Sequence, residues 1–153
     1  MLIDRYLETP DAVETHRVEI RASPEEVYRA LWRTDFGSSL IVKGLLGVRA
    51  LPGLVFGRRR PDRAARRLDL AAIMAAGFGK LAEAADRELV LGVVGRFWRP
   101  TGNLLPFRPE VFDRPVPPGL ALAVWNFSVW AVDSGATVLE TETRVACGDP
   151  GSR

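Results

Sequence analysis

The chain has 153 residues, 47% hydrophobic and 26% charged, which supplies enough apolar material for one core and excludes the low-hydrophobicity, high-charge composition of a disordered chain. Its 21 basic and 19 acidic side chains leave a net charge of +2, too small a bulk charge to select a partner, since a nucleic-acid binder concentrates charge on one surface. Cys147 is the single cysteine and His16 the single histidine, so no intrachain disulfide forms and no metal-ligand spacing exists.

Length favours one domain over residues 1–153. Asp4, Arg5 and Glu8 interrupt the apolar residues at the start, unlike a secretory signal, so a cytoplasmic protein is the default expectation. Val13 to Arg21 alternates: Val18 and Ile20 share one face, with His16 by parity, while Arg17, Glu19 and Arg21 share the other. That pattern predicts a half-buried strand. Ser23-Pro24-Glu25-Glu26 then opens a helix, with Ser23 as cap, Pro24 at the first helical position and Glu26 completing a capping box. Val27, Ala30 and Leu31 form its expected buried stripe, and the helix should fail near Asp35-Phe36-Gly37.

Leu40 to Phe56 is the most apolar stretch, yet Lys43, Arg49, Pro52 and three glycines break it. A membrane-spanning helix needs about 20 mostly apolar residues, so a short segment covering the mouth of a core is expected instead. Residues 57–67 form an Arg-rich linker. Asp69 caps a second short helix with Leu70, Ile73 and Met74 on one face, and Gly77 suits a left-handed C-terminal cap.

Residues 78–83 and 88–98 read as a hairpin around Ala85-Asp86-Arg87. Residues 99–119 carry six prolines and read as an irregular loop, long enough to suggest a lid or a mobile segment. The final hairpin joins residues 122–132 and 136–147 through Asp133-Ser134-Gly135. A three-residue connection sets Val129 opposite Leu139, Phe127 opposite Thr141 and Trp125 opposite Thr143. One face then carries those residues with Val145; the other, expected to be wet, carries Asn126, Ser128, Glu140, Glu142 and Arg144, with Trp130 as the exception. Asn126 and Glu142 should pair across that wet face. One strand, helices, then consecutive hairpins predict an α+β fold: a curved antiparallel sheet with helices on one face.

Three segments carry a family resemblance: His16-Arg-Val-Glu-Ile-Arg-Ala-Ser-Pro-Glu-Glu-Val-Tyr28, Gly92-Val-Val-Gly-Arg-Phe-Trp-Arg-Pro100, and Trp125-Asn-Phe with Thr141-Glu-Thr-Arg144. With this element order the chain resembles the START/pollen-allergen helix-grip superfamily (SRPBCC), which includes polyketide cyclase/dehydrase-like proteins. The resemblance implies a cavity between the sheet and a long C-terminal helix, taking lipids, sterols, polyketides or other apolar molecules. That long helix is missing here. Asp149 and Pro150 look like the cap and first position of a helix that does not follow. The expectation is a shortened chain whose uncovered sheet face self-associates or folds poorly.

Trp98, Trp125, Phe127, Thr141 and Thr143 are the candidate ligand-binding residues: aromatic walls with hydroxyls that orient a ligand suit an apolar pocket, although the same residue types also make plain core. Arg96 shares a strand face with Trp98 and would hold a ligand carboxylate or enolate if turned inward, whereas Leu89, Leu91, Val93 and Phe97 make the opposite face an equally apolar choice. His16 is the natural general base, yet the sequence shows neither an orienting partner nor a substrate. Arg96 and His16 are therefore candidate catalytic residues only.

The leading reading is a non-enzymatic binder of a small hydrophobic molecule. The alternatives are a polyketide cyclase/dehydrase-like enzyme using Arg96 and His16, and a regulatory or interaction module using the Arg-rich linker. No cofactor or metal is expected, and neither nucleic acid nor membrane spanning is favoured.

Overall fold

The computed structural model describes residues 1–36, 68–97, 99, 103–132 and 135–150. The apolar stretch 40–56, the Arg-rich linker 57–67 and Trp98 lie outside the described residues. The fold is α+β. A curved, open antiparallel sheet is built from β1 (Ala12–Ile20), β2 (Gly79–Ala84), β3 (Glu88–Arg96), β5 (Ala121–Ala131) and β6 (Thr137–Cys147), in the order β1-β6-β5-β3-β2. A two-residue strand β4 (Asn103–Leu104) adds to β3.

Among the described residues, two helices lie on one face. Helix α1 (Pro24–Leu31) begins as its punctuation requires: Ser23 Oγ accepts from the Glu26 amide, and Glu26 returns a bond to the Ser23 amide at 3.0 Å. Its buried side chains are Val27, Tyr28 and Leu31. Ala30 is exposed, so Tyr28 replaces it in the expected stripe, because a hydroxyl partner on β2 lets the larger ring go inside. Helix α2 (Leu70–Ala75) is capped by Asp69, which accepts from Ala72 at 2.8 Å, and ends at Gly77 with φ +124°.

The last hairpin pairs in the expected register, with Trp125 opposite Thr143, Phe127 opposite Thr141 and Val129 opposite Leu139. Gly135 takes φ +71° in its connection. Strand β6 then reaches across to the first strand, with His16 facing Thr141 and Val18 facing Leu139. The inner face is packed by α1 and α2, with Leu89, Leu91, Phe127 and Val129 contributed by the sheet.

The outer face departs from expectation. It is not wet: Asn126 is fully buried, and Ser128 and Glu140 are also buried. A second apolar layer covers it. The 3₁₀ turn Leu2–Arg5 seats Ile3 there, and the Pro-rich loop supplies Phe107 and Phe112, together with Val90, Val94, Leu122 and Val124 from the sheet. Two glycines make room for the rings: a methyl at Gly79 would collide with Phe107, and one at Gly92 would meet Phe112 at 2.7 Å. The described part of the loop is thus a packed layer rather than a lid. Polar parity on β5 and β6 did not signal burial because the covering segments come from distant parts of the chain.

Strand β1 departs in the opposite sense. Every residue except Ile20 is exposed, on both faces, because β1 is an edge strand and α1 reaches only its C-terminal end. Among the described residues, no helix is long and apolar enough to cross a membrane, which leaves β-barrel spanning unaddressed.

Candidate functional site

The inner face places most of the sequence-nominated residues side by side. Trp125 and Phe127 project from β5, and their ring centroids are 4.4 Å apart. Phe36, just beyond α1, meets Trp125 edge-on at 5.8 Å and Phe127 at 6.2 Å. Phe78, preceding β2, meets Trp125 at 6.5 Å. Such tilted and edge-to-face pairs suit the ring quadrupoles. Phe127 is wholly buried and acts as core, whereas Trp125 is half-buried. Thr141 and Thr143, also half-buried, stand opposite those rings on β6.

Beyond them on the same face come His16 and Glu14 of β1, whose register partners are Thr141 and Thr143. His16 Nε2 lies 3.0 Å from Glu14 Oε1. This is an orienting carboxylate that the sequence reading missed. The signal available was an i, i+2 spacing on one strand face. Both side chains are more than two-thirds exposed, so water screens the pair.

Arg96 lies elsewhere. It follows Val90 and Val94 in parity, on the outer face, and its Nε donates to the Gly119 carbonyl oxygen at 3.1 Å. His16 and Arg96 therefore stand on opposite sides of the sheet, and one bound ketone cannot touch both. Strand β3 ends at Arg96 rather than continuing to residue 98.

A cleft of about 470 Å³ opens on the inner face between α1 and the β1–β6 edge, with Ile20, Val27, Ala30, Leu31 and Leu139 in its walls beside Arg21, Glu26 and Thr34. Leu139 is two residues from Thr141 on the same face of β6, while none of Trp125, Phe127, Thr141 and Thr143 lines the cleft. No family model, curated protein or solved structure matches the chain.

A larger cleft of about 620 Å³ lies on the outer side, where the N-terminal segment meets the Pro-rich loop. Arg5, Glu8, Asp11, Asp113 and Arg114 crowd its walls, and desolvating such groups against an apolar molecule is costly. With two charged residues in its lining, Arg21 and Glu26, against five, the smaller cleft suits an apolar ligand better.

The helix that walls this cleft is held electrostatically. The Tyr28 hydroxyl donates to Glu83 Oε1 at 2.7 Å, and Lys80 Nζ reaches Glu83 Oε2 at 2.6 Å. Lys80 first and Tyr28 second hold the Glu83 carboxyl below its ordinary range. Burial, reinforced by the Glu83 bond, pushes the Tyr28 phenol well up. Neither group is an acid or base near neutrality; both fasten α1. Among the described residues no cluster of His, Cys, Asp and Glu could hold a metal ion.

Proposed function

We propose that this chain binds a small hydrophobic molecule along the inner face of its sheet, in a helix-grip arrangement, without catalysis. The observation that carries the reading is Trp125: a large ring left half-buried, packed on Phe127 and facing Thr143. On the same face a cleft of about 470 Å³ has Leu139 in its wall. Ligand sites are concave and mostly apolar, with a few polar groups that set orientation. Here Thr141 and Thr143 supply hydroxyls, each a donor and an acceptor. The antiparallel sheet with its first and last strands paired is compatible with the helix-grip resemblance read from the sequence.

The test is native mass spectrometry of the purified protein, followed by thermal unfolding with a panel of fatty acids, sterols and aromatic polyketides. A ligand of this face raises Tm in a concentration-dependent way; saturation at about 100 times Kd adds roughly 2.7 kcal/mol. Trp125→Ala and Thr143→Val should lower affinity while the free proteins still unfold cooperatively. Absence of any co-purified mass and of any Tm shift across the panel would defeat the proposal. So would a shift that survives Trp125→Ala unchanged.

A further inference from the structure

The two edges of the sheet are built differently. On the β2 side the strand carries a register shift between Lys80 and Ala82. The Tyr6 hydroxyl donates to the Leu81 carbonyl oxygen at 3.1 Å, and β4 continues that edge along β3. Bulges and covered carbonyls spoil an edge as a template for another strand. The β1 side has none of these devices. Its nine residues keep an unbroken register with β6 and include neither proline nor lysine. Among the described residues, no strand pairs with its outer side. Such an edge presents a row of backbone donors and acceptors to whatever strand arrives.

We propose that β1 pairs antiparallel with β1 of a second copy of this chain, about a two-fold axis at His16, joining the two sheets into one. A two-fold interface must complement itself, and the sequence of β1 does so in this register. With His16 opposite its own copy, Ala12 faces Ile20 and Asp11 faces Arg21, each twice. Moving the axis one residue toward the N-terminus, to Thr15, sets Asp11 against Glu19. Moving it one residue the other way sets Arg17 against Arg17. Like charges directly opposite each other destabilise a strand pair. Glu14, the one acid on the inner face of β1, lies 3.0 Å from His16 Nε2 of its own chain and in this register faces the apolar Val18 of the copy rather than another acid.

The edge adjoins the proposed ligand cleft at Ile20 and Arg21, and the test reads mass and cross-linking rather than ligand binding. Single cysteines are introduced at Glu14, His16 or Val18 in a Cys147→Ser background, and light scattering after gel filtration reports mass. All three sites are exposed, so the substitutions should not threaten folding. The expected result is a dimer below about 100 µM, in the range of weak specific interfaces. Opposed residues of an antiparallel pair have Cα atoms about 4.5–5.5 Å apart, within disulfide reach. Mild oxidation should therefore cross-link His16→Cys chains. Cysteines at Glu14 or Val18 lie roughly 13 Å from their own copies, four residues along the strand, and should stay reduced. Combining both in one chain should restore cross-linking. Arg21→Asp sets like charges at both ends and should weaken the dimer about three- to tenfold. A monomer throughout this concentration range overturns the proposal. A dimer that cross-links no better at residue 16 than at 14 or 18 overturns it too, and so does one that forms only with a foreign strand.

Discussion

The Tyr28 hydroxyl and the Glu83 carboxylate, 2.7 Å apart, join helix α1 to strand β2, elements 55 residues apart in sequence. Tyr28 is buried in the inner core with Val27 and Leu31, so its ring packs while its hydroxyl reaches the one acid that Lys80 also holds. Tyr28→Phe keeps the ring and removes the bond. Unfolding in urea should show a loss of about 1 kcal/mol, the usual worth of one such bond, with an unchanged slope against denaturant.

The same pair sets an acid limb to stability. Glu83 is held below its ordinary value of 4.5, so it is more acidic folded than unfolded. Its contribution is complete above that value and disappears as pH falls below it. Stability measured across pH 3–7 should decline less steeply on the acid side for Glu83→Gln than for the natural chain. Equal slopes would mean that other carboxylates account for the whole decline.

Gly79 and Gly92 face each other on β2 and β3 and leave the hollow that the loop aromatics fill. A methyl at Gly92 would meet Leu81 and Phe112 at 2.7 Å, and both are packed side chains with little freedom to retreat. Gly92→Ala should cost about 1–3 kcal/mol, the range for overpacking a filled core, and Gly79→Ala a similar amount. Phe112→Ala combined with Gly92→Ala should lose less than the sum of the two single losses, because one of the two clashes has gone and Leu81 gains room to retreat from the other.

Phe127 is 1% exposed and Val18 51% exposed, though both sit on the inner face and both were read from the sequence as apolar-face residues. Phe127→Ala should cost about 3–5 kcal/mol, as large-to-small changes in a core do. Val18→Thr should stay within about 0.5 kcal/mol, as surface changes do. Thermal melts of the two variants compare them directly.

Asn126 is fully buried; its Nδ2 donates to Ser128 Oγ at 3.1 Å, while its Oδ1 has no partner among the described residues. A buried acceptor without a partner is a standing cost. Asn126→Val removes that cost along with one bond and gains a residue suited to strands. The change should be tolerated to within about 1 kcal/mol, in contrast to the larger penalties of other fully buried positions. A loss beyond about 3 kcal/mol would show that the amide makes more than the one bond to Ser128.

What the sequence determined by itself is local. Ser23, Pro24 and Glu26 specify where α1 starts because caps act within one turn. Asp69 does the same for α2, and Gly135 with its loop length fixes the register of β5 on β6, because hairpin pairing follows from the turn. Trp125, Phe127, Thr141 and Thr143 share a face for the same reason: side chains alternate along a strand, and this parity can be counted. Tertiary structure decided which faces meet water. Asn126 and Ser128 look like surface residues until remote segments, with Ile3, Phe107 and Phe112 among their side chains, build a second layer on the outer face. His16 and Val18 look half-buried until β1 proves to be an edge. The fate of Arg96 was undecidable on paper because both faces of β3 are apolar. Burial is a property of what packs on a residue, and those partners lie far along the chain, where no periodicity reports them.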